Sequence, residues 1–539
     1  MDPLPDVFNA ATYFIDRHLD EGRANSIAIE CGERRITYGT LREQVNRTGS
    51  ALRTALGVRR EERVVLLLLD VPEMIYAFFG AIKIGAVPIP TNTLWTTEDY
   101  KHVLSDSGAR VVVVSSSLWT RVAEAVHASR TIQHVVVVAE KAGEAVPETT
   151  DFGTLLAGGS ATLEAEPTSR DAPAFWLYSS GSTGRPKGCV HLQHDMSVCA
   201  NAYARGVLGI RDRDRCFSVA KLFFAYGLGN SMYFPLAVGA TSILWPGPVT
   251  PPQVYELIER HRPTLFFSVP THYAMLLAHP SPGREFDLSS LRWAVSAGEA
   301  LPPAIFTRFY ERFGVEILDG IGSTEVLHIF ISNQPGLIRP GSSGLPVPGY
   351  EARVVDDDGT TVPAGEVGNL LIRGDSTCAF YWNRHEQSKD TIAGHWIRTG
   401  DKYRQDEDGY FWFAGRSDDM LKVGGIWVSP AELEHTMIEH PAVHACGVAG
   451  RADRDALIKP IAYVVLRAGV SPSSELAADL QRFARERLAE YKRPRWVEFI
   501  DALPTTATGK IQRFKLRELA AGPTSAPSSS GVHDHTFLP

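Results

Sequence analysis

Short apolar runs alternate with amphipathic stretches over the first third of the chain. Val64–Leu69, Val111–Val114 and His134–Ala139 are β-branched runs bounded by polar residues, which predicts buried strands. Between them, Pro72–Ile84 and Leu118–Ser129 carry apolar residues at helical spacing. Strand–helix–strand alternation of this kind predicts parallel sheets covered by helices on both faces.

The alternation resumes beyond a polar stretch that contains Gly and Pro. Thr264–Ser268 and Trp293–Ser296 are predicted strands, and Pro302–Phe313 is a predicted helix with Pro in its first turn. Further along, Ala352–Asp356 and Asn369–Arg373 are short runs separated by Asp-Gly and other Gly-rich turns. This change of pattern predicts a small antiparallel unit.

The bulk composition narrows the class of protein. A chain of 539 residues is too long to fold around a single hydrophobic core, and its length favours roughly three or four domains or subdomains. With 44% hydrophobic and 22% charged residues, the chain has the composition of a globular protein. The net charge of -8 gives no reason to expect a nucleic-acid partner. The 6 cysteines form no Cys-x-x-Cys pair, which argues against a zinc ribbon or a disulfide scaffold.

The N-terminal residues and the longest apolar run bear on targeting and membrane insertion. Met1–Asp20 lacks a basic start followed by an apolar run, so we predict no signal peptide. The longest aliphatic run, Val64–Leu69, is far shorter than the ~20 residues of a membrane span. We therefore expect a soluble cytoplasmic protein without a membrane partner. The tail, Ala520–Pro539, is rich in Pro, Ser, Gly and Ala and is predicted to be disordered.

Tyr178–Gly188 is a stretch of Gly, Ser and Thr that follows a predicted strand at Ala174–Leu177. Such a loop can turn its N–H groups inward to hold a phosphate, and Arg185 and Lys187 add positive charge. Pro186 stands where the Walker motif requires Gly, so this is not a P-loop. From composition alone, a plain surface linker is as good an interpretation of this stretch as a phosphate-binding loop.

Four further stretches are rich in residues that suit nucleotide chemistry. They combine glycines and hydroxyls with a carboxylate, a lysine or an arginine, and they are Asp319–Glu325, Trp396–Asp401, Gly415–Gly425 and Pro504–Arg513. Each alone also fits a turn of an unrelated enzyme, whereas the ordered set of five is specific. His191 and His194 stand three residues apart on a predicted helix, and without a third ligand nearby a metal role for them is disfavoured.

Together with Lys221–Asn230 and Val326–Phe330, these stretches resemble the adenylate-forming superfamily, most closely its benzoate–CoA ligase branch. The superfamily contains acyl-CoA synthetases, aryl-acid adenylating enzymes and luciferases, and the resemblance covers about residues 10 to 519. It implies an α/β fold with a large N-terminal domain of two doubly wound subdomains and a small β-barrel. A small mobile α+β C-terminal domain follows. The implied boundaries are residues 1–416, a hinge at 417–420, a C-terminal domain at 421–519 and a tail at 520–539.

The resemblance also implies a reaction in two halves. An aryl carboxylate attacks the α-phosphate of ATP with Mg²⁺ to give an aryl-AMP and pyrophosphate, and coenzyme A then displaces AMP. The expected acid is benzoate or a small substituted benzoate such as 2-aminobenzoate. An alternative is a stand-alone adenylation enzyme that loads a carrier-protein phosphopantetheine thiol, because it shares every motif. A non-catalytic adenylate sensor is disfavoured by the complete motif set. Monomer and homodimer both remain open.

By the same resemblance, Lys510 bridges the carboxylate and the α-phosphate, Thr324 bonds the α-phosphate and Glu325 holds Mg²⁺. Asp401 accepts the ribose hydroxyls, and Arg416 lies near the ribose and phosphate. The residues implied at the β- and γ-phosphates are Ser179, Ser180, Gly181, Ser182, Thr183, Gly184 and Lys187. Those implied around adenine are Gly298, Glu299, Asp319, Gly320 and Ile321. For Glu299 and Asp319, capping of a nearby turn is an equally good interpretation.

The implied acid pocket is an apolar slot with an aromatic wall and a glycine floor, which suits a flat ring. Its residues are Phe224, Ala225, Tyr226 and Gly227 on one side and Gly320, Gly322, His328 and Ile329 on the other. For His328, a packed core imidazole is the alternative. The sequence has Ile321 where many relatives have Tyr. It also lacks the Asn that reads a ring hydroxyl in siderophore-pathway enzymes, which weakens the case for 2-hydroxybenzoates.

For the second half-reaction, the family pattern implies that the C-terminal domain swings about Asp418 and removes Lys510 from the site. Gly424 and Gly425 then line a narrow pantetheine tunnel. An excess of basic residues between Arg482 and Arg517 suits either the phosphates of coenzyme A or a solvated basic face.

Overall fold

The structure is a computed structural model that describes residues 4–141, 146–180, 185–280, 285–416, 419–423, 426–453, 457–488, 490–505 and 511–521. The chain forms two compact units, Met1–Phe413 and Ala414–Pro539. Each unit is described by itself below. The predicted hinge and domain boundaries stay predictions.

The strands of the described residues are short. In chain order they are β1 Ile27–Cys31, β2 Arg34–Thr37, β3 Arg63–Leu67, β4 Val87–Pro90, β5 Val111–Ser115, β6 His134–Val138, β7 Thr150–Asp151, β8 Pro173–Ser180, β9 Pro186–Leu192, β10 Arg215–Ser218, β11 Thr241–Leu244, β12 Leu265–Ser268, β13 Trp293–Ser296, β14 Ile317–Gly322, β15 Ile329–Ser332, β16 Leu345–Pro346, β17 Glu351–Val355, β18 Val367–Arg373, β19 Phe380–Tyr381, β20 Ile392–Ala393, β21 Trp396–Gln405, β22 Phe411–Arg416, β23 Leu421–Val423, β24 Ile426–Val428, β25 Val443–Ala452, β26 Ile458–Leu466 and β27 Trp496–Phe499.

The helices of the described residues range from one turn to five. The α-helices are α1 Arg17–Asp20, α2 Tyr38–Thr54, α3 Pro72–Lys83, α4 Thr97–Ser107, α5 Trp119–Ala128, α6 Phe152–Ala157, α7 Asp195–Cys199, α8 Ala225–Leu228, α9 Phe234–Val238, α10 Pro251–His261, α11 Pro270–Ala278, α12 Pro303–Phe313, α13 His385–Thr391, α14 Pro430–Ile438, α15 Ser474–Arg487 and α16 Arg513–Ala521. Single π-helical turns lie at Thr12–Asp16, Ala200–Arg205 and Gly229–Tyr233, and 3₁₀ turns lie at Ser116–Leu118, Thr324–Val326 and Glu490–Lys492.

Two parallel sheets dominate the first unit. One has the order β4-β3-β5-β6-β7, with parallel pairing throughout. Its central strand, β5, is buried along its whole length, which explains the unbroken run of valines. The other sheet has 9 strands in the order β16-β15-β14-β13-β12-β10-β11-β1-β2. Its central strands are parallel and its outer pairs are antiparallel.

The antiparallel part of the first unit lies where the sequence predicted it. The strands β17, β18, β21 and β20 follow one another in an open sheet that forms half of a barrel. The predicted strands at Ala352–Asp356 and Asn369–Arg373 correspond to β17 and β18. The strands predicted for the two parallel sheets and the helices predicted between them are also confirmed, and their ends differ from the predicted ends by at most two residues.

The Gly- and Ser-rich stretch differs from the prediction of one long loop. The strand β8 runs to Ser180 and β9 begins at Pro186, so the two form a hairpin in which Ser179 pairs with Lys187. Tyr178, which lies just beyond the apolar run, packs edge-on against Trp95, at 6.4 Å between ring centroids. The connection at the tip, residues 181–184, lies outside the described residues.

The second unit is a small α+β fold. The strands β25, β26 and β27 form one sheet, antiparallel at β25–β26 and parallel at β26–β27, and β23 pairs with β24. Val448, Val464 and Leu480 belong to its buried core. Among the residues that the structure describes, in either unit, no helix combines the length and apolarity that a bilayer crossing requires.

Candidate active site

Thr324 and Glu325 lie on a single 3₁₀ turn that follows β14. The hydroxyl of Ser323, just before the turn, accepts a hydrogen bond from the Val326 N–H at 3.2 Å. This cap holds the turn beyond the carboxyl end of β14. That edge is where doubly wound sheets bind their ligands.

His191, a residue of β9, ties this turn to the hairpin. Its Nε2 lies 2.8 Å from the carbonyl oxygen of Thr324, and its Nδ1 lies 2.8 Å from a carboxylate oxygen of Asp195. Both side chains are fully buried. Because both partner atoms are acceptors, each ring nitrogen is placed to donate a hydrogen bond. His191 therefore fixes the position of the Thr324 carbonyl.

The prediction that His191 and His194 share a helix is wrong. His191 lies in a strand, with its ring stacked on Phe175 of the neighbouring strand at 5.2 Å between centroids. His194 immediately precedes α7 and contacts the carbonyl oxygens of Arg170 and Asp375, each at 2.9 Å. Strand pairing and aromatic stacking outweigh the local helical pattern here, and the two imidazoles instead lie on either side of the Asp195 carboxylate, His191 Nδ1 at 2.8 Å from Oδ2 and His194 Nε2 at 3.2 Å from Oδ1.

The carboxylate of Glu325 meets groups from two other segments. Its Oε1 accepts a hydrogen bond from the Tyr381 hydroxyl at 2.7 Å and lies 3.6 Å from Nζ of Lys187. The thiol of Cys189 lies 3.9 Å from the same oxygen. The structure thus brings the predicted Lys187, Thr324 and Glu325 together, with each of the two charged side chains less than one-fifth exposed.

The glycines of the predicted acid pocket are held by close backbone approaches. A Cβ on Gly322 would lie 2.7 Å from the carbonyl atoms of His328. A Cβ on Gly320 would lie 2.8 Å from the carbonyl oxygen of Ile331, and one on Gly227 would lie 2.1 Å from that of Lys221. No side chain fits at these positions without movement of the backbone, so these segments stay bare.

Tyr226 and His328 connect the two predicted sides of the pocket. Their ring centroids lie 5.5 Å apart, and Nε2 of His328 donates to Asn230 Oδ1 at 3.1 Å and contacts the Tyr226 carbonyl at 3.2 Å. Burial lowers the pKa of His328 to about 3, so its ring is neutral. The hydroxyl of Tyr226 is directed to the carbonyl oxygens of Ser268 and Val295, at 3.2 and 3.1 Å.

Two carboxylates predicted near adenine, Asp319 and Glu299, accept hydrogen bonds from other segments of the chain. Asp319, on β14, is buried, and its Oδ2 accepts from the Leu301 N–H at 3.3 Å. Burial raises the pKa of Asp319 to about 8, against a smaller opposing effect of hydrogen bonding with Ser296 and with backbone N–H groups. Glu299 accepts from the Thr271 hydroxyl at 2.9 Å. Asp319 thus accepts from a backbone N–H of another segment, and Glu299 from a side chain 28 residues earlier, so neither contact is a cap of the residue's own turn.

The two residues predicted to lie near the ribose, Asp401 and Arg416, belong to different units. Asp401 is buried on β21, and its N–H donates to the Thr399 hydroxyl at 3.1 Å. Arg416 is the exposed last residue of β22 and belongs to the second unit. Each residue keeps its predicted role as a proposal.

The remaining predicted residues divide into described and undescribed positions. Ser179 and Ser180 end β8, Phe224 precedes α8, Ala225 lies in α8, Gly298 has φ of +94°, Ile321 lies on β14 and Ile329 is buried on β15. Gly181, Ser182, Thr183, Gly184, Asp418, Gly424, Gly425 and Lys510 lie outside the described residues.

Sequence reasoning missed Tyr381 and the part played by His191. Tyr381 belongs to the run Tyr-Trp-Asn-Arg at 381–384, which has the composition of an ordinary turn. Nothing local indicates that its hydroxyl meets a carboxylate 56 residues earlier. The pairing of β19 with β9 and the hydrogen bond from the Cys378 N–H to the Glu325 carbonyl bring it there.

Residues 16–382 match the AMP-binding enzyme family, and residues 432–510 match the AMP-binding enzyme C-terminal domain. The chain is 50% identical to a benzoate–CoA ligase of Thauera aromatica over 515 residues, covering 95% of this chain and 96% of that protein.

Two solved structures are also similar. One is an anthranilate–CoA ligase in complex with anthranoyl-AMP, with a TM-score of 0.91 and 46% identity, covering 96% of this chain and 98% of the other. The second is a benzoate–CoA ligase from Burkholderia xenovorans LB400, with a TM-score of 0.87 and 45% identity, covering 95% and 100%. The resemblance and the fold class inferred from the sequence are confirmed. The chain therefore belongs to the AMP-binding enzyme family, in the benzoate–CoA ligase branch of the AMP-forming acid–thiol ligases.

Proposed function

We propose that the chain activates benzoate, or a small ring-substituted benzoate such as 2-aminobenzoate, with ATP and transfers the acyl group to coenzyme A. The relatives named for benzoate and anthranilate support this choice of acid. ATP and coenzyme A are the co-substrates of AMP-forming CoA ligases. The choice of acid depends on the residues of the predicted acid pocket.

The observation that carries the proposal is the contrast between the two sides of the pocket. One side offers the ring of Tyr226, whose hydroxyl is already donated to backbone carbonyls and so presents no polar group to a ligand. The other side is the backbone of Gly320 and Gly322, where crowding excludes a side chain. We infer that the acid binds between this ring and the glycine backbone, an environment that favours a flat, apolar ring.

His328 does not decide between these acids. Its ring is neutral, and its Nδ1 has no hydrogen-bond partner among the described residues. Because this nitrogen is covered by protein atoms, a ring amine gains no hydrogen bond there without movement of the side chain. The support for 2-aminobenzoate as an alternative acid is the similarity to an anthranilate–CoA ligase.

The carboxylate of Glu325 fits a magnesium ion. Mg²⁺ prefers oxygen ligands, and this carboxylate is held in place by Tyr381 while its side chain remains partly exposed. When bound, the ion neutralises charge on the triphosphate. Lys187 and Thr324 bind the phosphates beside it, and Asp401 accepts the ribose hydroxyls. Each of these roles is inferred from the family pattern.

The reaction joins two anions and then exchanges the leaving group. A carboxylate oxygen of the acid bonds to the α-phosphorus, and the bond from that phosphorus to the bridging oxygen breaks as pyrophosphate leaves. Lys510 stabilises the charge at this step, a contribution of ~3 kcal/mol or more for one such contact. The sulfur of coenzyme A then bonds to the acyl carbon, AMP leaves with the electron pair, and the thiol proton passes to solvent.

Pyrophosphate release across benzoates, cinnamates, phenylacetates and fatty acids tests the choice of acid. We expect benzoate or 2-aminobenzoate to give the highest kcat/KM. We also expect coenzyme A to serve as the acceptor without any carrier protein. A best substrate outside the benzoates would refute the acid assignment. A strict need for a phosphopantetheinylated carrier protein would refute the acceptor.

A pair of substitutions at one position sharpens the test. Tyr226→Ala removes the aromatic wall and should change the order of preferred acids while leaving the KM for ATP unchanged. Tyr226→Phe removes only a hydroxyl that bonds backbone carbonyls, so it should preserve that order. Equal effects of the two substitutions would contradict the proposed wall.

A further inference from the structure

We propose that Tyr381 is a positioning residue that sets which oxygen of Glu325 is available to a magnesium ion and that also supports Lys187. This inference rests on the proposed role of Glu325 as the metal ligand. It concerns three side chains of the first unit, all within the described residues. Their contacts indicate different roles for the two oxygens of the Glu325 carboxylate, one bound by protein groups and one available to the metal.

The first observation is that the protein contacts converge on one oxygen of Glu325. The hydroxyl of Tyr381 donates to Oε1 at 2.7 Å, the short distance expected of a bond to a charged acceptor. Nζ of Lys187 and Sγ of Cys189 lie 3.6 and 3.9 Å from the same atom. All three contacts are made to Oε1, and none of them to Oε2. The geometry therefore assigns Oε2 to the metal.

The second observation concerns the lysine. Nζ of Lys187 lies 3.9 Å from the centroid of the Tyr381 ring, a distance at which an ammonium is attracted to an aromatic face. One tyrosine thus contacts the carboxylate through its hydroxyl and the ammonium through its ring. The two groups that would bind the ion and the phosphates share one rigid support.

Tyr381 is itself held firmly. Its backbone pairs with Cys189 in β19–β9, and its N–H donates to the Ser388 hydroxyl at 3.0 Å. Only 2% of its surface is exposed. A buried side chain on a backbone that is anchored in this way can orient a flexible carboxylate. Such partners of metal ligands commonly change metal affinity or activity when they are replaced.

Tyr381→Phe tests the hydroxyl, because the ring that supports Lys187 remains. We would measure ATP binding by calorimetry in the absence of any aryl acid, as a function of Mg²⁺ concentration, so that no reaction occurs. The Mg²⁺ concentration for half-maximal ATP binding should rise about 10- to 100-fold. Tyr381→Leu also removes the ring, and at saturating Mg²⁺ it should weaken ATP binding a further ~2- to 5-fold.

Tyr255→Phe is the matched control. Its hydroxyl is equally buried and donates to the Leu276 carbonyl at 2.8 Å, within a separate hydrophobic cluster. This variant should keep the wild-type Mg²⁺ dependence. A similar Mg²⁺ shift in Tyr255→Phe would mean that loss of any buried hydroxyl has this effect, and the inference would fall. Urea unfolding of all variants separates weakened binding from loss of fold.

Glu325→Gln distinguishes failure of the inference from failure of the proposed function. If Glu325→Gln raises the Mg²⁺ requirement and Tyr381→Phe leaves it within twofold of wild type, the metal ligand stands and the positioning role is refuted. If Glu325→Gln leaves the requirement unchanged, the proposed metal site is wrong, and the inference falls with it. If Tyr381→Leu matches Tyr381→Phe at saturating Mg²⁺, the support of Lys187 by the ring is refuted.

Discussion

Replacing Asp319 by asparagine should remove a dependence of folding stability on pH. The carboxyl group is buried on β14, and burial raises its pKa from an ordinary 3.8 to about 8. Between these values the folded chain keeps the proton on Asp319, whereas the unfolded chain has released it. The folded state then binds more protons, so the contribution of this group to stability is full below the ordinary pKa and is lost as the pH rises towards 8.

The size of the effect follows from the width of that interval. One proton of difference changes the free energy of unfolding by about 1.4 kcal/mol per pH unit. From pH 5 to pH 7 the wild-type protein should therefore lose ~2.7 kcal/mol through Asp319 alone. The asparagine side chain of the variant has no proton to release, and its amide oxygen can still accept from the Leu301 N–H. The variant should gain stability relative to wild type by this amount over the same range.

Urea unfolding of Asp319→Asn and wild type at pH 5, 6 and 7 measures the difference directly. Tryptophan fluorescence reports the transition, and the difference between the two midpoints should widen steadily with pH. Parallel pH profiles would refute the reasoning, because they would mean that the folded chain ionises Asp319 as readily as the unfolded chain does. The KM for ATP in the same variant shows separately whether this carboxyl group contacts adenine.

Three other substitutions test the site. Gly322→Ala places a Cβ 2.7 Å from a backbone carbonyl, so it should cost ~1–3 kcal/mol of stability and raise the KM for the acid more than that for ATP; an unchanged acid KM would argue against the glycine floor. His191→Ala removes the 2.8 Å contact to the buried carboxylate of Asp195, which keeps its contacts to the Leu192 N–H and to His194, so it should cost ~1.5–3 kcal/mol in urea unfolding, whereas the partly exposed His194→Ala should cost less. Lys510→Ala should slow pyrophosphate exchange at least ~100-fold while thiolation of preformed aryl-AMP is largely spared; equal losses would contradict the domain swing.

The strands and helices of this chain were largely predictable, because buried positions require apolar residues and this requirement is visible in the local sequence pattern. A strand covered on both faces, such as β5, must be apolar at every position, and four consecutive valines record that requirement. The glycine-containing motifs were equally readable, since close backbone approach demands glycine whatever the surroundings. The family and the general place of Thr324 and Glu325 follow from these signals.

The supporting contacts could not be predicted, because they join distant segments. His191 reaches the Thr324 carbonyl across 133 residues, and Tyr381 reaches Glu325 across 56. A carbonyl oxygen carries no sequence signal, and a tyrosine in a turn looks the same with or without a carboxylate partner. The helix predicted around His191 failed for the same reason. Pairing with β8, which no local pattern records, decided its conformation.

The pairing of β1 with β11 has a consequence for biosynthesis. Ile29 leaves the ribosome long before its partner Ser242, about 210 residues later. At typical rates of translation this interval lasts roughly 10 to 40 s. Throughout that time the nascent chain carries an apolar strand that has its neighbour β2 but lacks its partner β11, and the β4-β3-β5-β6-β7 sheet is completed only about 120 residues after Ile29. Protection of this N-terminal segment by chaperones should therefore matter most in the middle of synthesis rather than after release.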